Sequence, residues 1–525
     1  MATIASERRL AAPVASLRAR DTGALLPGAT IYLICFAILT VLAFSADGFF
    51  STDDYYHARI SEQIIIQGRL GLEFPWLPLT ILSPDKFVDH HLLYHIVLAP
   101  FVYFMDDMTG AKIATVALAA GGYLAIWILL RNIGVRYPGL WTLGTFGMSA
   151  TFVIRALMIR TQGFSFLLLV LALIVMIQRR HQWLILLGFL YVWLYNGFIL
   201  MLGFAACYTL AAWLTDRKLL WQPMAFCALG LALGIVINPY FPRNVAFVLD
   251  HLGAKVDLDN SIPLGSEWSA FNTRTWLTAL TGSIVAMVLG FVRPYFGGGK
   301  RDRIETALLL VALLTGFMAF YAMRFLEYFP GFALLFWAAA WGRSPVIQLD
   351  WAPFRRFARF LVPLILVVAL GVFAVNILQV SYDVMSEARP AEEYLGSGTW
   401  LDNNTPDGTL VYPVGFNDFA KLFFYNQTNR WLIGLDPTYL QYVNAEWWNL
   451  YDRIRNGQIE RPSEVIASTW GIQYIISAER HEAFNRVARQ DPNLDLVFRD
   501  RFTSVWKVDD AYFEQARPQE VLSEG

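Results

Sequence analysis

The sequence is poor in cysteine and in charge, and each shortage excludes something. Only three cysteines occur, Cys35, Cys207 and Cys227, and all sit inside apolar runs. A disulfide framework is therefore excluded, and the C-terminal third has no cysteine to bridge. Charged residues make up 16% of the chain, against about 25% in soluble domains. The formal net charge is -1, which removes any electrostatic case for nucleic acid as a partner. No internal repeat and no low-complexity tract is present. What fills the space is apolar: 56% of the 525 residues are hydrophobic and 15% aromatic. This composition belongs to membrane proteins.

A membrane span needs about 20 apolar residues. About eleven runs qualify, near 28–46, 111–130, 139–158, 163–178, 182–195, 198–214, 222–240, 275–292, 304–323, 328–342 and 360–380. The stretch around Tyr195-Asn196-Gly197 is too long for one helix and is divided at its Asn-Gly turn signal. The first run follows several arginines and is long enough to stay as an anchor, so no cleaved signal peptide is expected. The positive-inside rule supports this map. Arg8, Arg9, Arg18 and Arg20 place the N-terminus in the cytoplasm. Alternation then puts every strongly basic loop on that side: Arg131 with Arg136, Arg179 with Arg180, Arg217 with Lys218, the cluster Arg293 to Arg303, and Arg355 to Arg359. A span at 90–104 would invert all that follows, so this segment is read as a short helix on the outer surface.

The expected fold is an α-helical polytopic membrane protein with a C-terminal soluble α/β domain. Residues 1–27 form a cytoplasmic segment. Residues 28–380 form the membrane domain, with a long external loop at 47–108. Residues 381–525 form the outer domain, with strands over Thr409–Val414 and Gly471–Ala478 and a pair within Leu494–Val508. Helices are expected near 391–403, 441–457 and 462–469. The absence of eukaryotic targeting signals, together with an external domain, suggests a bacterial inner membrane with the C-terminal domain in the periplasm.

The richest segment is Thr52-Asp53-Asp54-Tyr55-Tyr56-His57-Ala58-Arg59, directly after the first span. Two adjacent carboxylates at a membrane surface are costly unless solvated or used. One reading makes a carboxylate a general base or a metal ligand. The other makes Ser51, Thr52 or Asp53 the N-cap of an amphipathic helix continued by Tyr56, Ile60 and Ile64. Asp89-His90-His91 follows in the same loop, and Arg160-Thr161-Gln162-Gly163 marks an external helix boundary. Glu267 lies in the external loop before the eighth span. Arg324 and Glu327 stand at helical spacing at another outer helix end, where they could pair with each other.

The pattern Asp53-x-x-Tyr56-His57-x-Arg59 after the first span resembles the GT-C superfamily of membrane glycosyltransferases, above all the catalytic subunits of oligosaccharyltransferases. Leu93-Tyr94-His95 through Pro100-Phe101 is similar to the external helix that precedes their second span. The resemblance implies a sugar taken from a polyprenyl-phosphate or -pyrophosphate carrier on the outer face, with inversion at the anomeric carbon. It implies Asp53, with Asp54 as its substitute, as catalytic carboxylate. Arg59, His90, His91, Arg160, Arg324 and Glu327 are then candidates for contact with substrate or lipid phosphate. Glu267 and Asp418 are candidates for the acceptor site. Asp53 and Glu267 are candidate ligands of a divalent cation, Mg or Mn. The partners implied are a polyprenyl-linked sugar donor, membrane lipids and an acceptor glycan, lipid or protein.

Two motifs of oligosaccharyltransferases are missing. Phe164-Ser165-Phe166 stands after the Arg160 turn where they carry an acidic pair. Gly415-Phe416-Asn417-Asp418 stands where they carry a tryptophan-rich, sequon-gripping motif. The expectation is therefore a lipid-linked-sugar glycosyltransferase that does not act on sequons. The alternatives are an oligosaccharyltransferase proper and a non-catalytic or transport protein of the envelope.

Overall fold

The computed structural model describes residues 27–256, 272–297, 299–343 and 352–518. Helices cover each of the eleven apolar runs. Among the described residues, three are long and apolar enough to cross a membrane alone: Asp107–Asn132, Ile199–Asp216 and Arg303–Tyr321. Six more apolar helices are shorter, among them Gly28–Ala43 and Gln162–Ile177. The run expected at 139–158 is not one straight helix. It breaks between Gly147 and Ala150 and turns through 95°. The cause is local: extended Ser149 starts a new helix, its hydroxyl accepting the Phe152 N–H, as an N-cap does.

The first four helices carry the site and are labelled α1 (Gly28–Ala43), α2 (Thr52–Gln67), α3 (Leu92–Phe104) and α4 (Asp107–Asn132). Asp106 opens α4 by accepting the Thr109 N–H at 2.9 Å. Gly110 lets α4 fold back tightly on α3, because a Cβ there would strike the Phe101 carbonyl. Small residues serve the same purpose where helices Trp183–Leu194 and Gln222–Val236 meet, at Gly188, Gly230 and Gly234.

The outer domain is built on a five-stranded sheet: β1 (Leu410–Pro413), β2 (Arg430–Trp431), β3 (Tyr474–Ala478), β4 (Leu494–Arg499) and β5 (Thr503–Val508). Its order is β2-β1-β3-β5-β4. β1 pairs in parallel with both β2 and β3, and β5 runs antiparallel between β3 and β4. The Arg499-Asp500-Arg501 segment does turn the chain between two strands, as the sequence suggested. The Asp500 carboxylate accepts the N–H groups of Phe502 and Thr503 at 2.8 and 2.7 Å.

The two parts share one apolar core, which runs from Ile31 and Leu39 to Phe419, Phe423 and Val505. The joint is made by α2 and the helix Phe419–Tyr425. Phe49, Tyr55 and Phe424 meet edge to face. Trp76 extends the sheet edge, since its carbonyl takes the Trp431 N–H at 2.8 Å and its indole N–H reaches Gln427 O at 2.8 Å. Arg59 completes the joint. It is paired with Glu62 and, at 3.0 Å, with Asp107, it donates to Phe424 O at 2.6 Å, and it lies over the Phe424 ring. The side chain expected to contact substrate or lipid phosphate is thus held by three residues, Glu62, Asp107 and Phe424, at the domain joint. Removing it leaves the partly buried Glu62 and Asp107 without their cation. Arg59→Ala should loosen the outer domain, read as faster proteolytic release of residues after 386 and a lower thermal midpoint. A digestion pattern like the wild type's would show that Arg59 does not hold the joint.

Candidate active site

The site begins with a buried carboxylate. Ser51 caps α2 in a capping box with Asp54. One Asp54 oxygen accepts the Ser51 N–H at 3.0 Å, and the other accepts the Ile159 N–H at 3.1 Å. Asp54 therefore fastens the start of α2 to the turn that carries Arg160. It is 1% exposed, so the alternative catalytic carboxylate of the sequence reading is a structural pin. Its neighbour Asp53 points outward, with its side chain 38% exposed, and Arg160 Nη2 lies 2.8 Å from its Oδ2. The same nitrogen donates to Ser51 Oγ at 2.8 Å. The N-cap reading holds for Ser51, which caps α2 with Asp54 as its capping-box partner, while Asp53 faces out beside a guanidinium.

Next to this pair lies a group of histidines. His57 follows Asp53 by one turn of α2. His57 Nδ1 lies 2.7 Å from His95 Nε2, and His95 Nδ1 lies 2.7 Å from Asp89 Oδ2. Asp89 Oδ1 accepts the His91 N–H at 3.0 Å. Burial, then the nearby His95, Arg160 and His90, holds the His57 pKa well below its ordinary value. Burial and the adjacent histidines do the same to His91, whose Nδ1 sits 3.3 Å from Leu194 O. His90 stacks on Phe247 with ring centroids 4.9 Å apart.

The other predicted residues separate. Arg324 hydrogen-bonds Tyr195 and acts electrostatically on Tyr439 of the outer domain. Asp53 acts electrostatically on Tyr439 as well. Glu327 is 3% exposed and accepts from Arg155 Nε at 3.1 Å. Asp418 is 4% exposed and ion-paired with Arg480, with His481 Nε2 3.4 Å away. Glu267 lies outside the described residues. Among the described residues no group of three His, Cys, Asp or Glu could hold a divalent cation, and Arg160 Nη2 stands 2.8 Å from Asp53 Oδ2.

Two cavities meet this region. The larger, about 870 Å³, opens between Phe49–Thr52 and the outer domain, with Asp418, Lys421, Arg455, Arg480 and His481 in its wall. It lies at the C-terminal ends of the parallel strands β1 and β3. The chain leaves β1 toward β2 and leaves β3 toward the other side of the sheet, which is where α/β sheets open a crevice. The smaller cavity, about 230 Å³, is mainly apolar and is lined by Val88, Asp89, His90, Asn196, Phe198 and Phe247 among others. Sequence reasoning missed the outer cavity's Arg480, His481 and Lys421, and the link from His57 to Asp89. The available signal was His57 one turn after Asp53, and a basic pair immediately after a buried strand.

The fold is that of the GT-C membrane glycosyltransferases. Within that class, the structure is similar to the oligosaccharyltransferase AglB from Archaeoglobus fulgidus in complex with an inhibitory peptide and a dolichol-phosphate. Their TM-score is 0.61 at 12% identity, over 88% of this chain and 71% of that one. It is similar to ArnT from Cupriavidus metallidurans bound to undecaprenyl phosphate, with a TM-score of 0.54 at 14% identity, over 93% and 99% of the two chains. It is also similar to a mycobacterial arabinofuranosyltransferase, AftD, with a TM-score of 0.52 at 15% identity, over 91% of this chain and 41% of that one. No protein-family profile and no curated protein sequence matches the chain.

Burial pushes the Asp54 carboxyl up to about 7, against the opposing pull of Arg160 and of the Ser51 and Ile159 N–H groups. A carboxyl raised on folding stabilises the protein below its unfolded pKa of about 4 and loses that contribution as pH rises through its folded value. The thermal midpoint of the wild type minus that of Asp54→Asn should therefore fall between about pH 4 and 7 and then level off. Parallel curves for the two proteins would refute the assignment.

Proposed function

We propose that the protein is a membrane glycosyltransferase that transfers a sugar from a polyprenyl-phosphate-linked donor to a hydroxyl acceptor on the non-cytoplasmic face, with inversion. The observation that carries the reading is the position of the first turn of α2. Ser51 and Thr52 line a polar cavity on the outer domain, and one turn further His57 leads through His95 to Asp89 in the wall of an apolar cavity. Such a place suits an enzyme whose donor is a lipid and whose acceptor is water-soluble. Asp53 is the carboxylate that meets and orients the acceptor hydroxyl. Arg160 and Arg324 supply guanidinium groups for the donor phosphate, whose charge grows as the sugar leaves. The acceptor enters the outer cavity, where Asp418 acts indirectly by fixing Arg480.

The likeness to AglB and ArnT, whose structures hold dolichol-phosphate and undecaprenyl phosphate, supports a polyprenyl phosphate carrier. The eleven apolar runs, read as eleven spans, support a cytoplasmic N-terminus, a periplasmic outer domain and a bacterial inner membrane as the location.

Purified protein in liposomes, given a panel of radiolabelled polyprenyl-phosphate sugars and a cell-envelope extract as acceptor, should label a product. Asp53→Asn should reduce the rate by about 10²-fold or more while its thermal midpoint stays near the wild type's. Full activity in Asp53→Asn would remove Asp53 from the reaction. Orientation is tested separately. The three native cysteines lie in apolar helices and two are fully buried. Glu446→Cys should react with a membrane-impermeant maleimide in spheroplasts, and labelling only after lysis would reverse the topology.

A further inference from the structure

The chain Asp89–His95–His57 is continuous, buried and unused by the roles given above. Its two links are each 2.7 Å long, and its members are 4%, 0% and 5% exposed. An ionised carboxylate can only accept, so the Asp89 contact puts a proton on His95 Nδ1. Neutral His95 then offers Nε2 as a lone pair, and His57 donates from Nδ1. The remaining nitrogen, His57 Nε2, is left as a lone pair with no hydrogen-bond partner among the described residues. Asp53 and His57 are four residues apart on α2 and share a face. Arg160, which holds Asp53, also acts on His57. His57 therefore stands one turn along the same helix from the Asp53–Arg160 pair and feels its guanidinium.

We infer that His57 Nε2 receives the acceptor's proton in the transfer, and that Asp89 and His95 position it and take up its charge. The inference rests on the glycosyltransferase reading given above. In the step, the acceptor O–H bond breaks and its oxygen bonds to the anomeric carbon. The bond between that carbon and the donor phosphate oxygen breaks, and its electron pair leaves on the phosphate. The proton goes to His57 Nε2. The proton on His57 Nδ1 passes to His95 Nε2, so the positive charge settles on His95 beside the Asp89 carboxylate. That place lies against the Asp89 carboxylate, 2.7 Å from His95 Nδ1, whereas burial, then His95, Arg160 and His90, oppose a charge on His57. Asp53, already engaged by Arg160, orients the hydroxyl without having to hold its proton. After product release, the relay returns its proton through His57. Asp89 and His95 are positioning residues, and His57 is the group that touches substrate.

The chain has seven histidines, few enough for 15N-histidine NMR on the full-length protein in nanodiscs. His57, assigned by the signal lost in His57→Gln, should appear at neutral pH as a neutral ring protonated on Nδ1. Asp89→Asn should change that tautomer. A His57 protonated on Nε2 in the wild type overturns the relay without any activity measurement. In the transfer assay, with a radiolabelled polyprenyl-phosphate sugar that the wild type uses, His57→Ala should lower kcat by about 10²- to 10⁴-fold. KM should change little. Added imidazole should restore the rate in proportion to its free-base concentration, which a purely structural defect would not allow. Wild-type turnover in His57→Ala, or a loss that imidazole leaves untouched, overturns the role of His57 while wild-type transfer keeps the glycosyltransferase reading intact. A wild type inert toward every donor, with His57 in the expected tautomer, overturns that reading instead.

Discussion

The arrangement depends on the buried carboxylate of Asp54. A carboxylate with no exposure is costly in itself, and two backbone N–H groups from distant segments offset that cost. One belongs to the N-cap of α2 and the other to the turn after the bent helix pair. Fixing these two backbones relative to each other brings Arg160 to Asp53. The pin also explains why two aspartates stand together: one is needed inside and one outside, and adjacent positions in the first helical turn point to different surroundings.

The setting of α2 follows from the same economy of contacts. Tyr55, Tyr56, His57, Ala58, Ile60 and Ile64 are all buried, so the helix is covered on most of its circumference, unlike a surface helix with one apolar stripe. Membrane helices cover one side and the Phe419–Tyr425 helix covers the other. Polar groups caught inside such a helix must find partners. His57 finds His95 and Arg59 finds Asp107, while Gln63 reaches Gln427 of the outer domain at 2.9 Å. The outer domain thus completes the environment of the site as well as covering it.

The fold was largely legible in the chain because its signals are local. Apolar runs, basic loops and turn residues marked the helices of the membrane part. Alternating short runs marked β1, β3, β4 and β5. The two-residue strand β2 and the helix Phe419–Tyr425 were not legible, since their residues are set by docking onto Trp76 and α2 rather than by their own pattern. The bend at Ser149 was missed because hydropathy does not distinguish a straight helix from two capped halves. The partners of Arg59 were not legible for a similar reason: an arginine near a lipid surface carries the same sequence signal whatever anion or carbonyl the fold brings to it, here Asp107 and the Phe424 carbonyl.

By itself the sequence determined the apolar, membrane-type composition, the order of the helical and α/β parts and the place of the Asp53 segment after the first apolar helix, because each rests on composition or on spacing within one element. Tertiary structure alone decided which aspartate faces outward, which histidine ends the chain from Asp89, and that a cavity opens where β1 and β3 part. Each of these depends on groups far apart in sequence, such as Asp54 with Ile159, His57 with His95, and Asp418 with Arg480. Such pairs are selected by burial, which obliges a polar group to find whatever partner the packed chain brings within reach. The Asp53 segment was therefore recognisable from the start, but its division into a buried carboxyl and an outward-facing one required the folded protein.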